Sequence, residues 1–140
     1  METRSIMHDI SSKINMDYEL VINGRLPGMN EYTSAQRVNR YKGAKMKADA
    51  QKVCLWQIKQ QLRNVRISRP VRLHYIWYEQ NRRRDLDNIS GFGHKVIQDA
   101  LVQCKVLQDD GWKHIVGYTD TFAVDKEHPR IVLLIEEVSK

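Results

Sequence analysis

At 140 residues with 41% hydrophobic content, the chain is long enough for one domain with its own core and too apolar for a disordered tail. Against 17 Asp and Glu stand 23 Lys and Arg, a formal net charge of +6 that favours polyanionic partners but equally fits a merely soluble basic protein. Two cysteines without a CxxC pattern argue against a zinc framework, and no run reaches the roughly 18 apolar residues of a membrane span.

Residues 1–15 are weakly patterned and form an N-terminal extension of uncertain order: a short helix around Ile10 and Ile14, an arm that packs on a partner, or a loose tail. They lack the apolar run of a secretory signal, so a soluble, cytoplasmic protein is expected. The rest, 16–140, reads as a single domain. Tyr18 to Ile22 is a strand stopped by Asn23-Gly24. Two glycines and Pro27 make Gly24 to Asn30 an ordered loop, and residues 31–42 are polar and basic. From Ala44 to about Leu62 a helical stripe runs through Met46, Ala50, Val53, Cys54 and Trp56 or Gln57 to Gln60 and Gln61. Lys45, Lys47, Lys52 and Lys59 mark its outer side. Val71, Leu73, Tyr75 and Trp77 alternate with Arg72, His74, Ile76 and Tyr78, a strand. Tyr75, Trp77 and Tyr78 belong to its core and rim rather than to a base-stacking platform. Ile89 to Cys104 repeats at helical spacing, with Asp87 or Asn88 as N-cap. Ile115 to Val124 and Arg130 to Val138 are two further strands joined by a turn at Asp125 to Pro129. The order strand, helix, strand, helix, strand, strand predicts an α/β (α+β type) fold, one layer of mixed sheet covered by two main helices. Cys54 and Cys104 are expected as buried free thiols.

Chemistry concentrates in Arg82-Arg83-Arg84-Asp85-Leu86-Asp87-Asn88. If the backbone is extended there, Asp85 and Asp87 aim two carboxylates at one point while Leu86 turns inward. Carboxylates that close repel unless a cation lies between them, and hard oxygen ligands with open positions suit Mg²⁺. A solvated acidic turn or a helix cap would use the same residues. Arg82, Arg83 and Arg84 would attract a phosphate backbone or simply form a solvated charge run. Asp109-Asp110-Gly111 is a good turn by itself; Asp110 completes a three-carboxylate site only if the preceding helix carries the chain back to that loop. Lys95 would hold a phosphate, or pair with Asp99 four residues on. Gly91 and Gly93 weaken a helix, so either something approaches the backbone closely there or the helix begins later. His94, His114 and His128 show no metal-ligand spacing and read as structural or surface groups.

Arg83-Arg84-Asp85-Leu86-Asp87-Asn88, Lys95 with Asp99-Ala100-Leu101, and Val106-Leu107-Gln108-Asp109-Asp110 follow one another in an order that resembles the RusA family of Holliday junction resolvases. Gly24 to Asn30 is similar to that family's N-terminal loop. The resemblance covers roughly residues 18–138, with a segment Ile89–His94 about four residues longer than the compact family form. It implies a homodimeric, Mg²⁺-dependent endodeoxyribonuclease, with Mn²⁺ a possible substitute, that nicks four-way DNA junctions in pairs. It implies metal-binding acids at Asp85, Asp87 and Asp110 and a catalytic lysine at Lys95. On that reading Arg37, Arg40, Lys45, Arg82, Arg83 and Arg84 would track the DNA backbone. A non-catalytic branched-DNA-binding module, a nuclease for other branched DNA, and a structural protein that oligomerises through its sheet edge are the competing expectations.

Overall fold

The computed structural model describes Ile6 and residues 16–139. The expectation for the N-terminal extension therefore lies, apart from Ile6, outside the described residues. Among these the order is β1 (Tyr18–Asn23), α1 (Met29–Val38), α2 (Arg40–Gln61), β2 (Val71–Glu79), α3 (Leu86–Gln103), β3 (Ile115–Val124) and β4 (Arg130–Glu137). The strands form one mixed sheet in the order β1-β4-β2-β3. β4 lies antiparallel to both β1 and β2, whereas β2 and β3 are parallel and joined by α3. The α/β expectation holds at this level, with a third helix added.

That third helix is α1, and it falls where the sequence reads as loop and polar linker. Its buried side consists of Ala35 with the half-buried Met29 and Tyr32, three positions too few to stand out from their polar neighbours. Two hydrogen bonds set its start: the Gly28 N–H donates to Glu31 Oε1 at 3.1 Å, half of a capping box, and the Asn30 N–H donates to Asn88 Oδ1 at 2.7 Å. Asn39 adopts an extended conformation, ends α1 and caps α2, its Oδ1 accepting from the Lys42 N–H at 2.8 Å. α2 thus begins at Arg40, earlier than Ala44.

The buried line of α2 is Gly43, Ala50, Cys54 and Ile58. Val53 and Trp56, expected on the core stripe, are exposed, Trp56 at 60%. Around the helix axis Val53 lies about 100° and Trp56 about 160° from Cys54, away from the buried line. Lys47 leaves the outer face and forms an ion pair with Asp99 of α3 at 3.2 Å. Both thiols are free; Cys54 is buried and Cys104 half-buried, a correction for the second.

The main core lies between the helices and one sheet face, where Leu73, Tyr75 and Trp77 of β2 and Leu133 and Ile135 of β4 meet Cys54, Ile58, Phe92 and Val96. A smaller apolar cluster, Ile76, Tyr78, Val132 and Leu134, occupies the opposite face and packs against Ile6. Burial on both faces explains the unbroken apolar run Ile131–Ile135. Among the described residues no helix is long and apolar enough to cross a membrane.

Candidate active site

β2 delivers Glu79 to the carboxyl end of the parallel pair, and the chain then turns through Asn81–Arg84 into α3. Arg84 folds back on Glu79: its Nη2 donates to both carboxylate oxygens at 2.9 Å, and Nη1 donates to the Leu26 carbonyl at 3.2 Å. Arg25 adds a longer contact to Glu79 at 3.4 Å. The pair is nearly buried, with side chains 12% and 8% exposed. Arg84, expected on a DNA-facing surface, is instead committed inward and fixes the entry to α3. Arg82 and Arg83 stay exposed, as do Arg37, Arg40 and Lys45, the last paired with Asp49 at 3.1 Å.

The extended reading of Asp85-Leu86-Asp87 is corrected. Only Asp85 is extended, at φ −67° and ψ 157°, and serves as N-cap; Leu86 already opens the helix and Asp87 lies in its first turn. The cap is thus two or three residues earlier than expected. Leu86 points outward, 56% exposed, rather than into the protein. Asn88, the other expected cap, serves α1 instead. Both aspartates lie at the positive end of the α3 dipole. Yet Asp85 makes no side-chain capping bond. The Asp87 and Asp110 side chains likewise make no hydrogen bond or ion pair among the described residues.

Lys95 and Asp110, 15 positions apart in sequence, line one cavity of about 300 Å³ together with Gly91, His94, Gln98 and Tyr118. The turn at Gly111, whose carbonyl accepts from the His114 and Ile115 N–H groups, brings Asp110 there. Helical spacing places Asp87, Gly91 and Lys95 along one side of α3, with Asp87 about 12 Å from Lys95 along the axis. Asp85 instead lines a separate hollow of about 350 Å³ with Arg82, Leu86 and Phe122 at the carboxyl ends of β2 and β3. The Lys95 ammonium is 3.8 Å from Asp99, loosely held because Asp99 is already engaged by Lys47, and its side chain is 67% exposed. The helix does not begin after the glycines: a Cβ at Gly93 would come within 2.6 Å of the Trp77 ring, so close approach to the sheet requires glycine there.

Three further groups stand out: His94, which the sequence reads only as structural or surface, and Asp120 and Trp112, which it does not single out. His94 lies in this cavity, with Nε2 2.7 Å from Asp120 Oδ1. Asp120, unremarkable inside a strand, also accepts from Trp77 Nε1 at 2.8 Å. Trp112, two residues beyond Asp110, is 95% exposed. A cross-strand register, Tyr75 opposite Asp120, is what assembles the first two, and no local pattern announces it.

The oxygen donors of Asp85, Asp87 and Asp110 are chemically suited to a hard divalent cation and are uncommitted to other groups. Among the described residues, however, no three acidic, His or Cys side chains converge on a common metal position. An ion would be held by one or two carboxylates, with water and phosphate oxygens completing its shell, as is usual for Mg²⁺. No protein-family model matches the chain, and no curated protein matches it either.

Proposed function

We propose that this chain is a Mg²⁺-dependent, structure-specific endodeoxyribonuclease that resolves four-way DNA junctions by paired nicking, with Mn²⁺ a possible substitute. The observation that carries the reading is the meeting of Lys95 and Asp110 in one cavity on the side of α3 that also bears Asp87. A RusA-like chemistry needs that combination, and the sequence order alone does not produce it. One or two of Asp85, Asp87 and Asp110 would hold the cation, which when bound would neutralise charge on the scissile phosphate and polarise water. Lys95, held only loosely by Asp99 at 3.8 Å, would bind the phosphate and stabilise the charge that grows on it. Arg82, Arg83, Arg37, Arg40 and Lys45 would contact the backbone, which positions DNA without reading its sequence. A two-fold junction cut twice fits a homodimer, and DNA repair or recombination fits a cytoplasmic protein.

The lack of a three-ligand cluster among the described residues favours one alternative, a branched-DNA-binding module without catalysis. A synthetic mobile four-way junction separates the two. Paired nicks that require Mg²⁺, and that Asp87→Asn lowers by at least about a hundredfold while junction binding persists, are the expected result. Binding without cleavage under any divalent metal would establish the alternative, and cleavage confined to flaps would move the substrate to another branched DNA.

A further inference from the structure

Two histidines of this protein pair with carboxylates, and they differ in what remains free. His74 uses both ring nitrogens, Nδ1 with Thr119 Oγ1 at 2.8 Å and Nε2 with Glu136 Oε1 at 3.0 Å, and is buried on the sheet face away from the helices. It has nothing left to offer a ligand. His94 uses only Nε2, against Asp120. Its Nδ1 has no hydrogen-bond partner among the described residues and keeps access to solvent, because His114 Nδ1 is the one buried unpaired side-chain nitrogen or oxygen found there.

The setting holds the ring rigidly. Asp120 Oδ1 also accepts from the Trp77 indole, which is buried in the core. Tyr75, Trp77 and Tyr118 surround the imidazole with ring centroids at 4.8, 5.6 and 4.7 Å. A carboxylate that binds Nε2 favours the tautomer with hydrogen on that nitrogen, which leaves Nδ1 as the acceptor. Lys95, Gln98 and Asp110 line the same cavity.

We propose that His94 is the proton acceptor of the nuclease, oriented by Asp120 and Trp77 as positioning residues; this rests on the junction-cleaving reading above. His94 Nδ1 takes a proton from the attacking water as the water oxygen bonds to phosphorus. The bond from phosphorus to the 3′ oxygen breaks, and that oxygen takes a proton from a solvent water. The hydroxide left behind is neutralised by the imidazolium proton, so one water is consumed for each phosphodiester cut.

The test uses full-length wild type, His94→Ala, His94→Gln and Asp120→Asn on the four-way junction, with affinity and melting followed alongside. His94→Ala should cleave about a hundredfold slower at unchanged junction affinity, the usual scale for loss of a general base. Added imidazole should restore at least tenfold of that loss in His94→Ala and none in Asp87→Asn. A merely structural histidine would not be rescued in this way. Nitrogen-15 NMR of the free protein should find the His94 proton on Nε2, a readout that needs no activity. Active wild type with unimpaired His94 variants, an impaired His94→Ala and His94→Gln that imidazole does not rescue, or a proton on Nδ1 in the free protein, would each overturn the assignment alone. A wild type that cuts no branched DNA would overturn the nuclease reading and the assignment with it.

Discussion

The two acidic regions at the start of α3 are built on opposite principles. Glu79 is almost buried and meets two guanidinium groups, whereas Asp85 and Asp87, a few residues later, are exposed with carboxylates that bind nothing among the described residues. The first arrangement holds the chain in place. The second leaves negative charge unmatched in a protein with excess positive charge. Charges matched inside the fold should matter to its stability, and charges left open should matter to what the fold meets.

Stability measurements can break that contrast. Glu79→Ala strands Arg84 with no anionic partner of comparable burial and should cost roughly 3 kcal/mol in a denaturant melt, the scale for breaking a buried pair. A loss below about 0.5 kcal/mol would place Glu79 with the open acids. Gly93→Ala pushes a methyl into the Trp77 ring and should cost about 1–3 kcal/mol, with the near-ultraviolet circular dichroism of the tryptophans perturbed. Asp87→Asn should leave the metal-free melt within about 0.5 kcal/mol of wild type. On the proposed cation site, Mg²⁺ at a hundredfold excess over its dissociation constant should stabilise wild type by about 2.7 kcal/mol, and the same variant should lose that gain. The smallest effect concerns Asp125. The hydrogen bond from Arg130, 2.8 Å away, holds its carboxyl below the ordinary value. Its contribution is therefore present above the unfolded-state pKa and lost as pH falls through the lower folded-state value. Asp125→Asn should flatten that part of the acid melt slightly without moving the neutral one.

Strands were legible because their period is short and their residues are β-branched or aromatic; all four fall where alternation or an apolar run places them. α1 was not, since three modest apolar positions cannot outweigh a polar sequence. The Asp85-Leu86-Asp87 geometry failed for a related reason: capping and extension compete at the same residues, and an exposed leucine gives no local sign of its exposure. Gly93 was half legible, because the need for close approach could be inferred but not its partner Trp77. His94 was read as structural or surface, but its Asp120 partner was not legible, because that carboxylate lies 26 positions away and meets it only through the sheet register. Cys54 was read correctly as a buried free thiol, and burial pushes its pKa up to about 12.

The strand order has a consequence for how the molecule comes together. β4 is last of the four strands in the chain, yet it lies between β1 and β2, with Tyr18 paired to Ile135. Until residues 130–137 arrive, β1 has no neighbour in the sheet and β2 presents an open inner edge. Closure waits on contacts spanning almost the whole chain, the kind whose loop entropy slows folding. During synthesis the helices and the β2–α3–β3 unit can gather first, and the sheet becomes continuous only when β4 slides into the gap. A nascent chain stalled before residue 130 would hold two unpaired strand edges, a point of vulnerability to self-association that the finished protein closes from within.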